Sequence, residues 1–263
     1  MERILVAGGT GLAGRDVVAE ALRRGYQVRV LSRNIPTPDQ QAFRHGAEYV
    51  RADVVSGEGL SQALSGVDVV IDTLDGRTGK ARKFLSTGAA NLTAAAAGAG
   101  VKRAVLLSIV NVDQGPLAYY RAKAAQERAY SDSATNTVIV RAAQFHNLVA
   151  GIACAASKAR LFISLRGVSF QPIATTDVAR ALLDVATTAE LPDGGMVTVG
   201  GPDVIPMREA AEACREHAGG KGRIVTVPVP GSVGRFFREG RMLTPGDPFG
   251  TVKFKDWLEL QPR

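Results

Sequence analysis

The short apolar run ILVA at 4–7 leads straight into Gly8, Gly9, Gly11 and Gly14. A chain built this way leaves a strand through a tight turn and starts a helix within a few residues. The stretch reads as GxGxxG from Gly9 and as GxxGxxG from Gly8, in the strand-to-helix setting that gives the motif its meaning. The first glycines permit the turn, a side chain at Gly11 would block a pyrophosphate from the backbone, and Gly14 lets helix and strand pack closely. Amides at the helix start then face phosphate. Gly8, Gly9, Thr10, Gly11, Leu12 and Gly14 are therefore the candidate dinucleotide loop.

The rest of the first half repeats that beginning. QVRVL (27–31), EYVR (48–51), VDVVID (67–72), RAVLLS (103–108) and TVIVR (137–141) are short β-branched runs, as parallel strands buried on both faces require. Helix-like stretches at 14–24, 40–45, 60–65, 79–100 and 119–131 lie between them and predict crossover helices. The expected fold class is α/β, a Rossmann-type doubly wound parallel sheet with a small C-terminal substrate subdomain. We expect residues 1–148 to form the NAD(P)-binding Rossmann domain, with a return segment near 168–190. Residues 149–263 form mainly the smaller substrate-binding subdomain.

The cofactor's identity turns on the end of the second strand. An enzyme for a free ribose 2′-hydroxyl carries an acid there, whereas this chain has Leu31, Ser32, Arg33 and Asn34. A guanidinium pairs with a 2′-phosphate that a carboxylate would repel, so Arg33 predicts NADP(H). Asp53, after the third strand, either meets the adenine amino group or closes an Asx-turn. Arg77, Lys80, Arg82 and Lys83 bring four cations to the start of an expected helix, a solvated face or the neighbour of an anion.

Chemistry is carried by three further residues. Ser108 ends the fifth strand, and Tyr119 and Lys123 stand at i and i+4 on one helical face. A nearby ammonium favours the phenolate of a tyrosine. Lys123 can also hold ribose hydroxyls, and Ser108 can donate to a substrate carbonyl. Tyr120 competes with Tyr119 for the role of proton donor. The carboxyl ends of parallel strands form the ligand crevice, and the glycine loop, Arg33, Asp53, Ser108 and Arg141 all fall there. Lys123, Tyr119 and Ser108 are the candidate catalytic residues, with Lys123 also binding cofactor.

Other conspicuous residues read as structural. His146 suits a hydrogen-bonded core position, with a proton donor or substrate contact as the alternative, Phe145 the core or a pocket wall, and Asp177 the first turn of a helix capped by Thr175 or Thr176. Trp257 reads as packing, and Asn91 as a helix residue without a catalytic role. Two cysteines sixty positions apart and three histidines fit neither a disulfide framework nor a zinc site, so no metal is expected. Lys and Arg number 32 against 25 acids, a net +7. The cations are scattered, and no nucleic-acid partner is expected. No apolar stretch is long enough to cross a bilayer, so a cytoplasmic protein without a membrane partner is expected.

Taken together, GGTGLAG, LSRN, LLSIVNVD, YYRAKAAQE, VIVRAAQFHN and QPIATTDVARALL resemble the atypical short-chain dehydrogenase/reductases, in their NmrA-like branch. The resemblance implies bound NADP(H), a small-molecule substrate and Lys123 as an active-site position. Two functions follow from it. One is an NADPH-dependent oxidoreductase passing hydride to a small carbonyl, enone or quinone-like substrate. The other is an NADP(H)-binding regulatory sensor without turnover, acting on a protein partner. A sugar-nucleotide epimerase or dehydratase is a third possibility on the same fold.

Overall fold

A computed structural model of the chain describes residues 2–76, 79, 84–190, 192–244, 246 and 248–262. The chain divides into two compact units. The first holds residues 1–108, 118–141 and 178–197, and the second 109–117, 142–177 and 198–263.

The first unit starts with β1 (Arg3–Ala7), α1 (Leu12–Arg23), β2 (Gln27–Ser32) and β3 (Glu48–Arg51). It continues through α2 (Leu60–Leu64), β4 (Val69–Asp72), α3 (Leu85–Gly98), β5 (Arg103–Ile109), α4 (Ala118–Ser131) and β6 (Thr137–Ala142). A seven-stranded sheet runs β3-β2-β1-β4-β5-β6-β9, where β9 is Met196–Val199. β1 pairs in parallel with β2 and β4, and β2–β3 and β4–β5 are parallel too. This is the doubly wound Rossmann-type sheet, with the order reversing beside β1. The continuous apolar runs are explained by burial: Leu5, Val70 and Leu106 from three neighbouring strands pack with Leu64, Leu92 and Tyr130 from the helices.

Residues 40–45 correct the sequence reading. They form turns rather than a helix. Phe43 stacks on Tyr49 at 5.0 Å, and the Arg44 amide donates to the Tyr49 hydroxyl at 2.7 Å. Six residues cannot offset helix nucleation when local side chains provide another route.

In the second unit, α5 (His146–Ala153) is followed by β7 (Leu161–Leu165) and β8 (Ser169–Phe170). Helix α6 (Thr175–Thr187) leads back into the first unit. Later come β10 (Ile205–Pro206), α7 (Met207–His217), β11 (Arg223–Val227), α8 (Gly231–Arg238) and α9 (Phe254–Glu259). β7 and β11 form a parallel pair, β8 and β10 an antiparallel one. Asp177 accepts the amides of Thr251 and Val252 at 2.8 and 3.1 Å, which ties the C-terminal segment to the start of α6. His146 Nε2 donates to the Val252 carbonyl (3.0 Å), and the ring packs against Phe254 and Trp257, as a structural histidine does.

The cysteines also require correction. Cys154 and Cys214 form a disulfide with their Cα atoms 5.8 Å apart. Their wide spacing hides the pairing, because α5 and α7 pack directly against each other. Sequence distance excludes nothing once a fold has closed the loop.

Candidate functional site

The glycine loop joins β1 to α1 within the first unit. Gly8 has φ +79°, a left-handed conformation that favours glycine, and its carbonyl accepts the Gly11 amide at 2.8 Å. A Cβ at Gly14 would collide with the Gly8 carbonyl and come within 2.7 Å of Thr73 Oγ1, so Gly14 serves close packing. Gly9 does the same against Val30. Gly11 differs: a Cβ there would meet only the Gly8 carbonyl oxygen, at 3.1 Å. The space over Gly11 is open.

That opening faces the start of α1. The helix has no side-chain cap and no acid in its first turn. Its first amides lack intrahelical acceptors, and the helix dipole places partial positive charge among them. An open glycine cradle beside unpartnered amides fits a diphosphate.

A cleft of about 310 Å³ extends from this loop. Gly8 and Thr10 line it at one side, Arg33, Asn34 and Asp53 at another, and Asp75 and Gln126 deeper in. Arg33 is exposed and available to a phosphate. Asp53 Oδ1 accepts the Val55 amide at 2.8 Å, so the residue closes an Asx-turn and lines the cleft at once. Leu31, Ala52, Leu85 and Ala89 supply apolar walls. The cationic residues Arg77, Lys80, Arg82 and Lys83 lie outside the described residues.

The three candidate catalytic residues are arranged unevenly. Ser108, near the end of β5, is buried, and its hydroxyl has no hydrogen-bond partner among the described residues. Lys123 is also buried; its ammonium donates to the carbonyl of Leu107, the neighbour of Ser108, at 2.8 Å. Tyr119 is half-buried, and its hydroxyl donates to Asp75 Oδ1 at 2.8 Å. Tyr120 is buried, which pushes its phenol above the usual range. Arg141 instead forms a fork-like pair with Glu127 at 3.0 and 2.6 Å.

Sequence reasoning missed the groups that hold Lys123. Its ammonium also donates to Gln126 Oε1 at 2.7 Å, and Gln126 Nε2 donates to Asp72 Oδ2 at 3.2 Å. Asp72 further accepts the Tyr130 hydroxyl at 2.9 Å and the Leu74 amide at 2.8 Å. Gln126 thus bridges ammonium and carboxylate with the two ends of one amide. Burial lowers the Lys123 ammonium and raises the Asp72 carboxyl, each tempered by the charge of the other. Burial, with the Asp72 charge, pushes the Tyr130 phenol well above its ordinary value. One signal was available: a carboxylate ending the apolar strand VDVVID is rarely buried without partners. Gln144, in the second unit, is buried with neither amide atom partnered among the described residues. Asn91 is structural, donating to the Val54 and Val55 carbonyls.

Residues 8–189 match the family model described as NAD(P)H-binding. The chloroplastic protein High Chlorophyll Fluorescence Phenotype 244 of Arabidopsis thaliana is 31% identical over 233 residues. That match covers 86% of this chain but 58% of the relative, so the chain spans less than two-thirds of that protein's length. The photosystem II assembly factor Ycf39 of Cyanophora paradoxa is 30% identical over 241 residues, 86% of this chain and 72% of that one. In fold the chain is similar to the NADPH-dependent quinone oxidoreductase of Escherichia coli solved with NADPH. The TM-score is 0.78 over 97% of this chain and 98% of that one, at 20% identity.

Proposed function

The chain belongs to the NAD(P)H-binding family, and from that premise we propose that it is an NADPH-dependent oxidoreductase acting on a small carbonyl, enone or quinone-like acceptor. The observation that supports this most is the buried hydroxyl of Ser108, without a partner among the described residues, beside the carbonyl that holds Lys123. A buried hydroxyl without a partner is costly, about 1–3 kcal/mol, and an acceptor oxygen on a ligand removes that cost.

The cofactor, when bound, supplies the hydride. The chain's own residues do the rest. The loop from Gly8 to Gly14, with Thr10 and Leu12, holds the diphosphate at the start of α1, Arg33 takes the 2′-phosphate, and Asp53 takes the adenine side. Lys123 supplies positive charge and a donor for ribose, Ser108 donates to the acceptor oxygen, and Tyr119 or a water gives the proton. Tyr119 serves as donor once its hydroxyl leaves Asp75. Residues 1–148, with the return segment near 168–190, carry the cofactor, and the rest of 149–263 mainly the substrate.

Arg33→Ala is expected to weaken NADPH by about 1.5–3 kcal/mol, the worth of a hydrogen bond to a charged group, and to leave NADH nearly unchanged. Calorimetry with both nucleotides tests it, and equal losses contradict the 2′-phosphate assignment.

Turnover is tested by NADPH oxidation against quinones, enones and ketones. On an acceptor reduced at a saturable rate, Ser108→Ala is expected to lower kcat/KM by roughly 2- to 12-fold, one neutral hydrogen bond's worth. Tyr119→Phe should lower kcat by about tenfold with NADPH affinity retained. That is below the usual ~10²–10⁴-fold for an acid–base group, because water can replace the phenol.

Two observations favour a second reading, a regulatory NADP(H)-binding protein without turnover. The Lys123 ammonium is bonded inward, to Leu107 and Gln126, and the Cyanophora relative is described as an assembly factor. NADPH that binds tightly yet stays unoxidised across the whole panel supports this alternative and defeats the first.

A further inference from the structure

β7 and β11 pair in parallel with Leu161 opposite Arg223, Ile163 opposite Val225 and Leu165 opposite Val227. Alternation along a strand puts these six side chains on one face. Helix α7 packs on the pair, and Phe162 and Ser164 of the alternate set are buried. Of the first set, Leu161, Val225 and Val227 are 36%, 39% and 38% exposed and Ile163 and Leu165 half-buried, while Thr226 of the alternate set is exposed as well.

Charge is distributed on this pair with equal regularity. Because the strands are parallel, the residues entering both lie at the same end, and those residues are Lys158 and Arg160 for β7 and Lys221 and Arg223 for β11. All four are exposed, and none forms an ion pair among the described residues. Residues 155–170 and 218–231 contain no acid; the nearest in sequence is Glu216 on α7. Arg160 has φ +56°, a left-handed backbone where glycine or asparagine would be less strained. A long cation is kept at a position that local conformation disfavours.

We propose that this face is a docking surface for an anionic lipid bilayer, with the four cations at the headgroups and the aliphatic strip against the acyl boundary. Four cations gather at one end of the pair beside the aliphatic strip, and the exposed Arg166 adds a fifth at the other end, so the strip is flanked by positive charge that anionic headgroups complement. A protein partner fits less well. The face has no aromatic anchor, and Leu and Val are sparse among the residues that dominate protein interfaces. A strand added along β11 could not be extended far, since Pro228 and Pro230, which lack amide donors, follow directly after Val227. The expectation of no membrane partner came from the lack of a spanning stretch, and adhesion to a surface needs none. Among the described residues no helix is long and apolar enough to cross.

The test is sedimentation of the whole chain with vesicles of phosphatidylcholine containing about 30% phosphatidylglycerol, against pure phosphatidylcholine. Partition is expected to be at least ~10-fold stronger on the anionic vesicles and to fall as salt rises from ~0.05 to ~0.5 M. Arg160→Glu with Arg223→Glu should reduce it at least ~10-fold. Arg51→Glu with Arg128→Glu makes the same change of charge at exposed positions in the first unit and should leave it within about 3-fold. Val225→Ser with Val227→Ser, at constant charge, should lose about 3- to 10-fold. Arg160→Gly should raise the thermal midpoint yet weaken partition, an outcome a purely structural arginine would not give. Equal losses in both Arg pairs, indifference to the Val pair, or equal binding to pure phosphatidylcholine overturns the proposal. So does binding to poly-glutamate without binding to vesicles, which identifies an acidic polypeptide as the occupant.

Discussion

Gly11→Val is expected to leave the protein folded while weakening NADPH and NADH alike by at least ~100-fold, about 2.7 kcal/mol or more. Folding is spared because Gly11 has an ordinary extended φ of −81°, and a Cβ there meets only one carbonyl oxygen. Binding is not spared. The branched side chain fills the opening over the first turn of α1 and separates the diphosphate from the amides that the uncapped helix offers. Both nucleotides suffer because both share the diphosphate, in contrast to Arg33→Ala, which distinguishes them. Gly14→Val makes the opposite case, since its Cβ runs into the Gly8 carbonyl and Thr73, so the loop must shift before any ligand arrives. Calorimetric titration beside urea unfolding separates the two effects. A folded Gly11→Val variant that binds NADPH like the parent reduces the loop to a structural turn.

Those two glycines also show how far sequence reasoning reaches. Gly14 and Gly11 lie in a segment where strand, turn and helix follow within a few residues, so local chemistry determines the geometry. β1, β4 and β5 were legible for a related reason: strands buried on both faces are apolar through their centres, as 4–7, 69–71 and 104–107 are, while β2 interrupts its apolar run with Arg29, which donates to Glu48 and the Ala63 carbonyl. Residues 40–45 were misread because their helical pattern is only six residues long, and the contacts of Phe43 and Arg44 with Tyr49 outweigh it. The Cys154–Cys214 pair and the cation edge of β7 and β11 depend on elements some sixty positions apart being placed together. No local pattern carries that. Lys123 falls between these cases. Its helical face with Tyr119 was visible, but the groups that hold it come from β4 and β5 as well as from its own helix.

What holds Lys123 sets a charge balance inside the first unit's otherwise apolar interior. Ammonium and carboxylate are both buried, and no direct ion pair joins them; Gln126 carries the connection, accepting from one and donating to the other. Removing one charge therefore leaves the other in a dry site with its remaining hydrogen bonds but without its counter-charge. This is the situation in which a buried ion becomes costly, whereas removing both charges together relieves the desolvation of each.

Lys123→Met is accordingly expected to destabilise the fold by about 3–5 kcal/mol near neutral pH, with Asp72→Leu in the same range. The double variant should lose less than the sum of the two, with an interaction of about 0.5–3 kcal/mol. The pH dependence has a definite sign. Burial raises the folded Asp72 carboxyl, so its contribution is complete below its unfolded value of about 3.9 and is lost as pH rises through the folded value. Burial lowers the folded Lys123 ammonium, so its contribution is complete above about 10.4 and is lost as pH falls through the folded value. Where both groups are charged, the native pair depends on mutual attraction. Deleting the ammonium drives the Asp72 carboxyl further up, so the deficit of Lys123→Met should be smallest near pH ~4 and grow toward neutrality. Urea midpoints of parent, single and double variants across that range measure it, and a deficit independent of pH, or strict additivity, means the two charges do not interact through Gln126. Because the same ammonium is proposed to serve the nucleotide ribose, NADPH should raise the parent's midpoint more than that of Lys123→Met, after correction for their different stabilities.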